Sequence, residues 1–360
     1  MTTYTFTPTN SSQTFYQWDN PATWVPTGVP NSADADVVIP TVTRTDGSIF
    51  RSNIGTNSQS FAINSLTVTN NHLFVSLGTL AVAGNVALLT LGELTMSNGV
   101  LTAASLTNAR QIDGKGQITV SGALTNTGDI SGSGLTVTAQ QLNNTGSITG
   151  GRDGGLTLNV PTSGFGNTLQ GDGTYAVTGG PDSQPGELRL NLGGLITTNA
   201  TKISMSNGEI FSFDAASSSY IPIESTLNLI SPTGSLSLSR GGLFEENYNW
   251  IALTNSGLIT VEEKTTLSSP RITVTGDLKL ENGILATPQL IVDSNGHVEG
   301  GGTINGAIAN SGVITAQVDA MFGVADFPDF NKLTINGSVE VRGSSRSATL
   351  SIRAYPVKQR

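Results

Sequence analysis

The sequence predicts an all-β fold of stacked coils, a parallel β-helix, and three observations predict it. The first is a phrase that recurs at an 18-residue step: Leu106-Thr107-Asn108, Leu124-Thr125-Asn126 and Leu142-Asn143-Asn144. Each copy is followed at fixed offsets by an isoleucine and a glycine, Ile112 and Gly114, Ile130 and Gly132, Ile148 and Gly150. A short fixed period built from strand-like pieces and turns is the mark of an array in which each unit buries its apolar face on the next. The second is alternation: Leu66/Val68, Leu73/Val75, Leu80/Val82, Leu94/Met96, Ile118/Val120, Leu135/Val137 and Leu156/Leu158 place apolar residues two apart, on one face of a strand. The third is the scarcity of charge. Only Glu93, Arg110, Asp113, Lys115 and Asp129 are charged between residues 88 and 150. A charge repeated at one position of a stack would stand about 4.8 Å from its own copy, whereas Ser, Thr and Asn can hydrogen-bond along it.

The elements follow in chain order. Residues 1–60 hold Trp18 and Trp24 and the prolines Pro8, Pro21, Pro26, Pro30 and Pro40. Proline lacks a donor and suits the end of a stack, so this segment is expected to cap the first open coil, the alternative being a small attachment domain. Within it, residues 36–39 read as the first strand, closed by Pro40. Residues 61–320 are expected to form about 13 or 14 coils of roughly 18 to 20 residues. Glycine and asparagine supply the positive-φ corners between the apolar pairs. A β-sandwich of many short strands competes with this fold but does not need the 18-residue register. Between 180 and 250 the turns lengthen and aromatic and acidic residues gather. Residues 321–360 are expected to add C-terminal strands that cap the stack or join chains, with residues 333–352 supplying strand-like pieces.

Composition excludes several classes. A net charge of -9 argues against nucleic acid, whose phosphates call for clustered Lys and Arg. The absence of cysteine excludes disulfides, thiolate metal sites and a cysteine nucleophile. No run of 18 apolar residues offers a membrane span. His72 and His297, each after an Asn or Gly, read as turn residues, and no metal site or cofactor is expected. Gly114-Lys115-Gly116 and Gly300-Gly301-Gly302 lack the Lys-Ser/Thr and following helix of a phosphate loop and read as corners.

Two kinds of site are conceivable in the long-turn region. Glycan cleavage needs two flanking carboxyls. Glu209, Asp214, Glu224, Glu245 and Glu246 are candidates, with Asp326 and Asp329 further on, although solvated loop acids explain them as well. Glycan binding needs displayed aromatic faces, and Tyr220, Tyr248 and Trp250, with Glu245 and Glu246 beside them, are the candidates. The alternative is that some of these rings fill the coil interior. No catalytic residue can be named.

Several phrases carry a resemblance: residues 227–230 and 234–238, Gly241-Gly242-Leu243-Phe244, the Leu-Thr-Asn-Ser-Gly-Leu-Ile of 253–259, and the run from Gly300 through Ala309-Asn310-Ser311-Gly312-Val313-Ile314. Leu333-Thr334-Ile335-Asn336-Gly337 and residues 348–352 continue the style. Over roughly residues 60–352 the chain resembles the right-handed parallel β-helix passengers of bacterial surface proteins, of the autotransporter and filamentous-haemagglutinin adhesin types. The chain starts without the basic and apolar stretches of a secretory signal and ends without a translocator, so in layout it resembles a bacteriophage tailspike or tail fibre. The resemblance implies attachment to a host-surface polysaccharide, lipopolysaccharide or outer-membrane receptor, other virion tail proteins as partners, a homotrimer and a place in the virion tail. A secreted bacterial adhesin or matrix protein at the cell surface is the alternative, and a polysaccharide depolymerase on the same scaffold is the second.

Overall fold

A computed structural model describes residues 1–8, 15–43, 49–50, 52–162, 164–180, 184–239, 246–318, 333–336, 339–341 and 349–354. They form two compact units. The first comprises Met1–Gly164, Gly171–Thr174 and Gly186–Gly193, and the second Phe165–Gln170, Tyr175–Pro185 and Gly194–Arg360. Each is a parallel β-solenoid, and the only helical pieces among the described residues are the 3-10 turns Pro21–Thr23 and Ile223–Ser225. No helix among the described residues is long and apolar enough to cross a membrane.

In the first unit the sequence period becomes vertical register. Leu106 lies beside Leu124 and Leu124 beside Leu142 on successive coils. Three core columns rise together, one per strand of the coil. Ile54, Leu73, Leu94, Ile112, Ile130 and Ile148 make the first. Phe61, Leu80, Leu101, Ile118, Val137, Leu158 and Leu190 make the second. The third, at the edge of the core, runs Ile39, Val68, Leu88, Asn108, Asn126, Asn144. The alternating pairs all point inward, from Leu66 and Val68 to Leu156 and Leu158. Such strands are stable only in a stack, because each coil alone leaves both edges and half its apolar surface open.

The second unit repeats the scheme. Ile203, Leu236, Ile259, Leu278, Val298 and Ile314 form one column. Tyr248, Leu267, Leu285, Ile304 and Ile335 form another. Near the C-terminus Leu333–Asn336, Val339–Val341 and Thr349–Ala354 pair in parallel with Gly302–Asn305, Ile308–Asn310 and Val313–Val318, so they continue the stack as a further coil.

The N-terminal segment departs from expectation in one respect. The first strand is Thr2–Phe6, not residues 36–39; it runs parallel to Ser32–Ile39, which in turn pairs with Phe61–Val68. Proline-free alternation in Thr2, Tyr4 and Phe6 lets it join the ladder, and Phe6 ends it in the core. Phe6 then packs edge-on against Tyr16 and Trp24, with ring centroids 5.3 and 5.7 Å apart. Trp18 and Trp24 are fully buried yet satisfied: their indole N–H groups donate to the carbonyls of Pro30 and Trp18 at 3.1 and 2.8 Å. A buried indole pairs its N–H wherever it can, and here the loops around the prolines supply the acceptors.

Candidate functional site

The outer wall of the first unit is the part of the molecule that side chains have furnished most regularly. Strand alternation turns every second residue outward, and stacking lines those residues up. One outward column reads Thr102, Thr119, Thr138, Asn159 and Asn191, five consecutive coils of uncharged hydroxyl or carboxamide groups. Two shallow grooves run along the same unit. One is lined by Val82, Ala83, Thr102, Ala103 and Thr119, the other by Asp113, Gly114, Ser131, Gly132, Ser133 and Thr149.

The histidines, one in each unit, correct the reading of them as turn residues. His72 and His297 open the strands His72–Ser76 and His297–Asn310. Each meets a carboxylate at its register position: His72 Nδ1 lies 3.8 Å from Glu93, and His297 Nδ1 lies 3.7 Å from Asp277. Each also reaches diagonally to a threonine one coil on, His72 Nε2 to Thr95 Oγ1 at 2.7 Å and His297 Nε2 to Thr315 Oγ1 at 3.3 Å. The Thr95 hydroxyl donates to Asp113 Oδ1 at 2.5 Å. Its proton is therefore committed, so His72 Nε2 must be the donor, and the trio is a cross-coil clip rather than a nucleophile with its base. Sequence reasoning missed this because partners 18 to 23 positions apart meet only once the register is fixed.

The long-turn region of the second unit holds the predicted binding and cleavage residues, and the structure divides them. Tyr220 lies on the hairpin strand Ser219–Pro222, antiparallel to Gly208–Asp214, with its ring 5.2 Å from Phe213; it is half-buried and the most accessible of the three rings. Glu246, Tyr248 and Trp250 alternate on one face, and that face turns inward. Tyr248 stands over Leu267, and both Tyr248 and Trp250 are 4% exposed, so neither ring presents a face to solvent. The inward orientation follows from parity: Asn247 and Asn249 take the outside. Glu245, Asp326 and Asp329 lie outside the described residues.

Among the carboxyls, Glu209 is exposed and Asp214 is occupied locally, accepting from the Ser217 hydroxyl and from the Ala216 and Ser217 amides. Those bonds hold the Asp214 carboxyl below its ordinary value, the Ser217 hydroxyl most. Glu224 differs from both. It sits on the 3-10 turn Ile223–Ser225, 8% exposed, and burial, reinforced by the nearby Glu209 charge, pushes its carboxyl up to about 7. Burial also raises Glu246, and it raises the Tyr248 phenol, with Glu246 adding to the effect. Among the described residues no group of three or more His, Asp or Glu side chains is arranged to hold a metal ion.

Gly114-Lys115-Gly116 and Gly300-Gly301-Gly302 are corners in both units, with φ of 102° and 145° in the first and 109° and 142° in the second. No family model matches the chain, and neither a curated protein nor a solved structure does.

Proposed function

We propose that this chain is an attachment protein that lays the hydroxyl-rich wall of its solenoid against a cell-surface glycan. The observation that carries the reading is the column Thr102, Thr119, Thr138, Asn159, Asn191, in which neutral donors and acceptors repeat at every coil with no charge between them. A neutral, polyhydroxylated polymer matches such a surface, since each of its hydroxyls both donates and accepts, and no buried ion has to be desolvated when the two meet. The burial of Tyr248 and Trp250 supports the wall over the long-turn region as the contact surface. The phrases of residues 253–259 and 300–314 favour an adhesin of a bacterial surface, and the same wall would serve a tailspike or tail fibre that attaches a virion to polysaccharide or lipopolysaccharide. Assembly into three chains belongs to the same proposal.

The test is binding of the full chain to immobilised capsular polysaccharide and lipopolysaccharide, with a parallel reducing-end assay. The expected result is saturable retention that falls at least about tenfold when Thr119 and Thr138 are both replaced by Lys, without release of oligosaccharide. Undiminished binding by the double variant would remove the wall as the contact surface, and release of oligosaccharide would make the chain a depolymerase. Mass photometry separates a 37.2 kDa protomer from a particle of three times that mass.

A further inference from the structure

The stretch from Gly208 to Ile251 in the second unit buries hydrogen-bonding groups that a solenoid core does not require. Glu224 is more than nine-tenths buried and its Oε2 has no hydrogen-bond partner; Trp250 is buried as deeply and its indole N–H has none either. The Tyr248 hydroxyl, on the same inward face as Trp250, lies 3.5 Å from the Ser239 carbonyl and accepts from the Asn207 and Gly208 backbone amides. One backbone bond ties the turn Ile223–Ser225 to the residue after Trp250, from the Ile251 amide to the Glu224 carbonyl at 3.1 Å.

An unpaired oxygen in such a place is tolerable on a neutral carboxyl. On a carboxylate it is a buried charge that only the residue's own backbone amide offsets, which costs far more. The described titratable groups on the elements around Glu224 offer no relief. The strand Gly208–Asp214, packed against the turn, carries Glu209 and Asp214, and its hairpin partner Ser219–Pro222 carries Tyr220. The strand Glu246–Asn249 carries Glu246 and Tyr248. On the next coil Lys264 accepts the Glu246 amide with its carbonyl while its side chain is exposed.

We propose that Glu224 is a proton-operated latch: with its proton on, the turn Ile223–Ser225 stays bonded to Ile251 beside Trp250, and with it off the turn lifts and brings Trp250 into contact with solvent. The inference is independent of the attachment reading. The value of about 7 produced by burial and by Glu209 places the event where a modest change of surroundings operates it.

Trp250 is the reporter, because the other two tryptophans, Trp18 and Trp24, lie in the first unit. Acrylamide quenching of the full chain is followed between about pH 5 and 9, and the curve of Trp250→Phe is subtracted. The expected result is a red shift and a several-fold rise in Trp250 quenching with a midpoint near pH 7, the Trp18 and Trp24 signal and the circular dichroism staying constant. Glu224→Gln, neutral at every pH, should stay closed throughout. Glu209→Gln removes the neighbouring charge and should move the midpoint to lower pH, which decides the matter should Glu224→Gln fail to fold. A flat wild-type curve, a transition that survives in Glu224→Gln, a midpoint that Glu209→Gln leaves in place, or a simultaneous change at Trp18 and Trp24 would each overturn the latch.

Discussion

At the same corner position, the two units use buried asparagine differently. In the first, Asn108, Asn126 and Asn144 stand on consecutive coils; in the second, Asn199, Asn255 and Asn310 are separated by Ile230 and then by Val274 and Val292. Yet much of the local work of the side chain is shared, although Nδ2 of Asn144 and of Asn310 has no partner among the described residues. Its Oδ1 accepts the amide two residues on, Arg110 for Asn108, Thr201 for Asn199, Gly257 for Asn255 and Gly312 for Asn310. Its Nδ2 donates to a carbonyl one coil further, Asp129 for Asn108, Ser147 for Asn126, Ser235 for Asn199 and Asp277 for Asn255. Consecutive placement adds one thing, an amide-to-amide ladder: Asn108 Nδ2 to Asn126 Oδ1 and Asn126 Nδ2 to Asn144 Oδ1, both at 2.8 Å. A buried asparagine here is thus a repair of two backbone groups at a corner, and the ladder couples repairs that would otherwise be independent.

Breaking that coupling should give the largest effect. Asn126→Leu strips a partner from Asn108 and from Asn144 as well as from the Ser147 carbonyl, and should destabilise the first unit by about 4 kcal/mol. Asn255→Leu orphans only the Gly257 amide and the Asp277 carbonyl and extends an aliphatic column, so about 2 kcal/mol is expected. Urea unfolding followed separately through Trp18/Trp24 and Trp250 measures both, and equal losses would dissolve the distinction.

The next contrast is with pH. Glu224 has a folded value of about 7 against an ordinary 4.5, so its contribution to stability is complete below 4.5 and is lost as pH rises through 7. Well above that pH the second unit should have lost roughly 3 kcal/mol, and Glu224→Gln should abolish this slope in denaturation midpoints. A slope that persists in the variant would assign the effect to another group.

Glycine corners should show the two units behaving alike. A Cβ on Gly114 would overlap the Met96 carbonyl and one on Gly300 the Leu280 carbonyl, each at a φ that L-residues avoid. Both Gly→Ala variants should therefore cost about 2 kcal/mol in thermal or chemical unfolding. If one variant is harmless while the other unfolds its unit, the corners are not equivalent.

The smallest effect is expected at the clips. His72→Ala should cost about 1 kcal/mol, because the ring also stacks on Phe74 at 4.0 Å, and His297→Ala about half as much, its clip being longer and more exposed. Reversal of that order in paired unfolding curves would mean that the ring stack adds nothing.

How much of this was legible depends on the range of each interaction. The recurrence of Leu106, Leu124 and Leu142 stated the coil length and the register, because a stack copies sequence period directly into vertical neighbours. Alternation stated which side of each strand faces the core, since parity alone decides it. The same parity argument, applied to residues 246–250, would have turned Tyr248 and Trp250 inward, but their density among acids read as display. What the sequence by itself determined was therefore the fold class, the corner residues and the polar, uncharged wall. Only the tertiary structure decided that His72 meets Glu93 and Thr95, that Glu224 is buried beside Glu209 without a partner for one oxygen, and that Thr2–Phe6 joins the stack. The physical reason is that burial and partner geometry depend on which coils lie next to one another, and in the irregular turns no repeat carries that information.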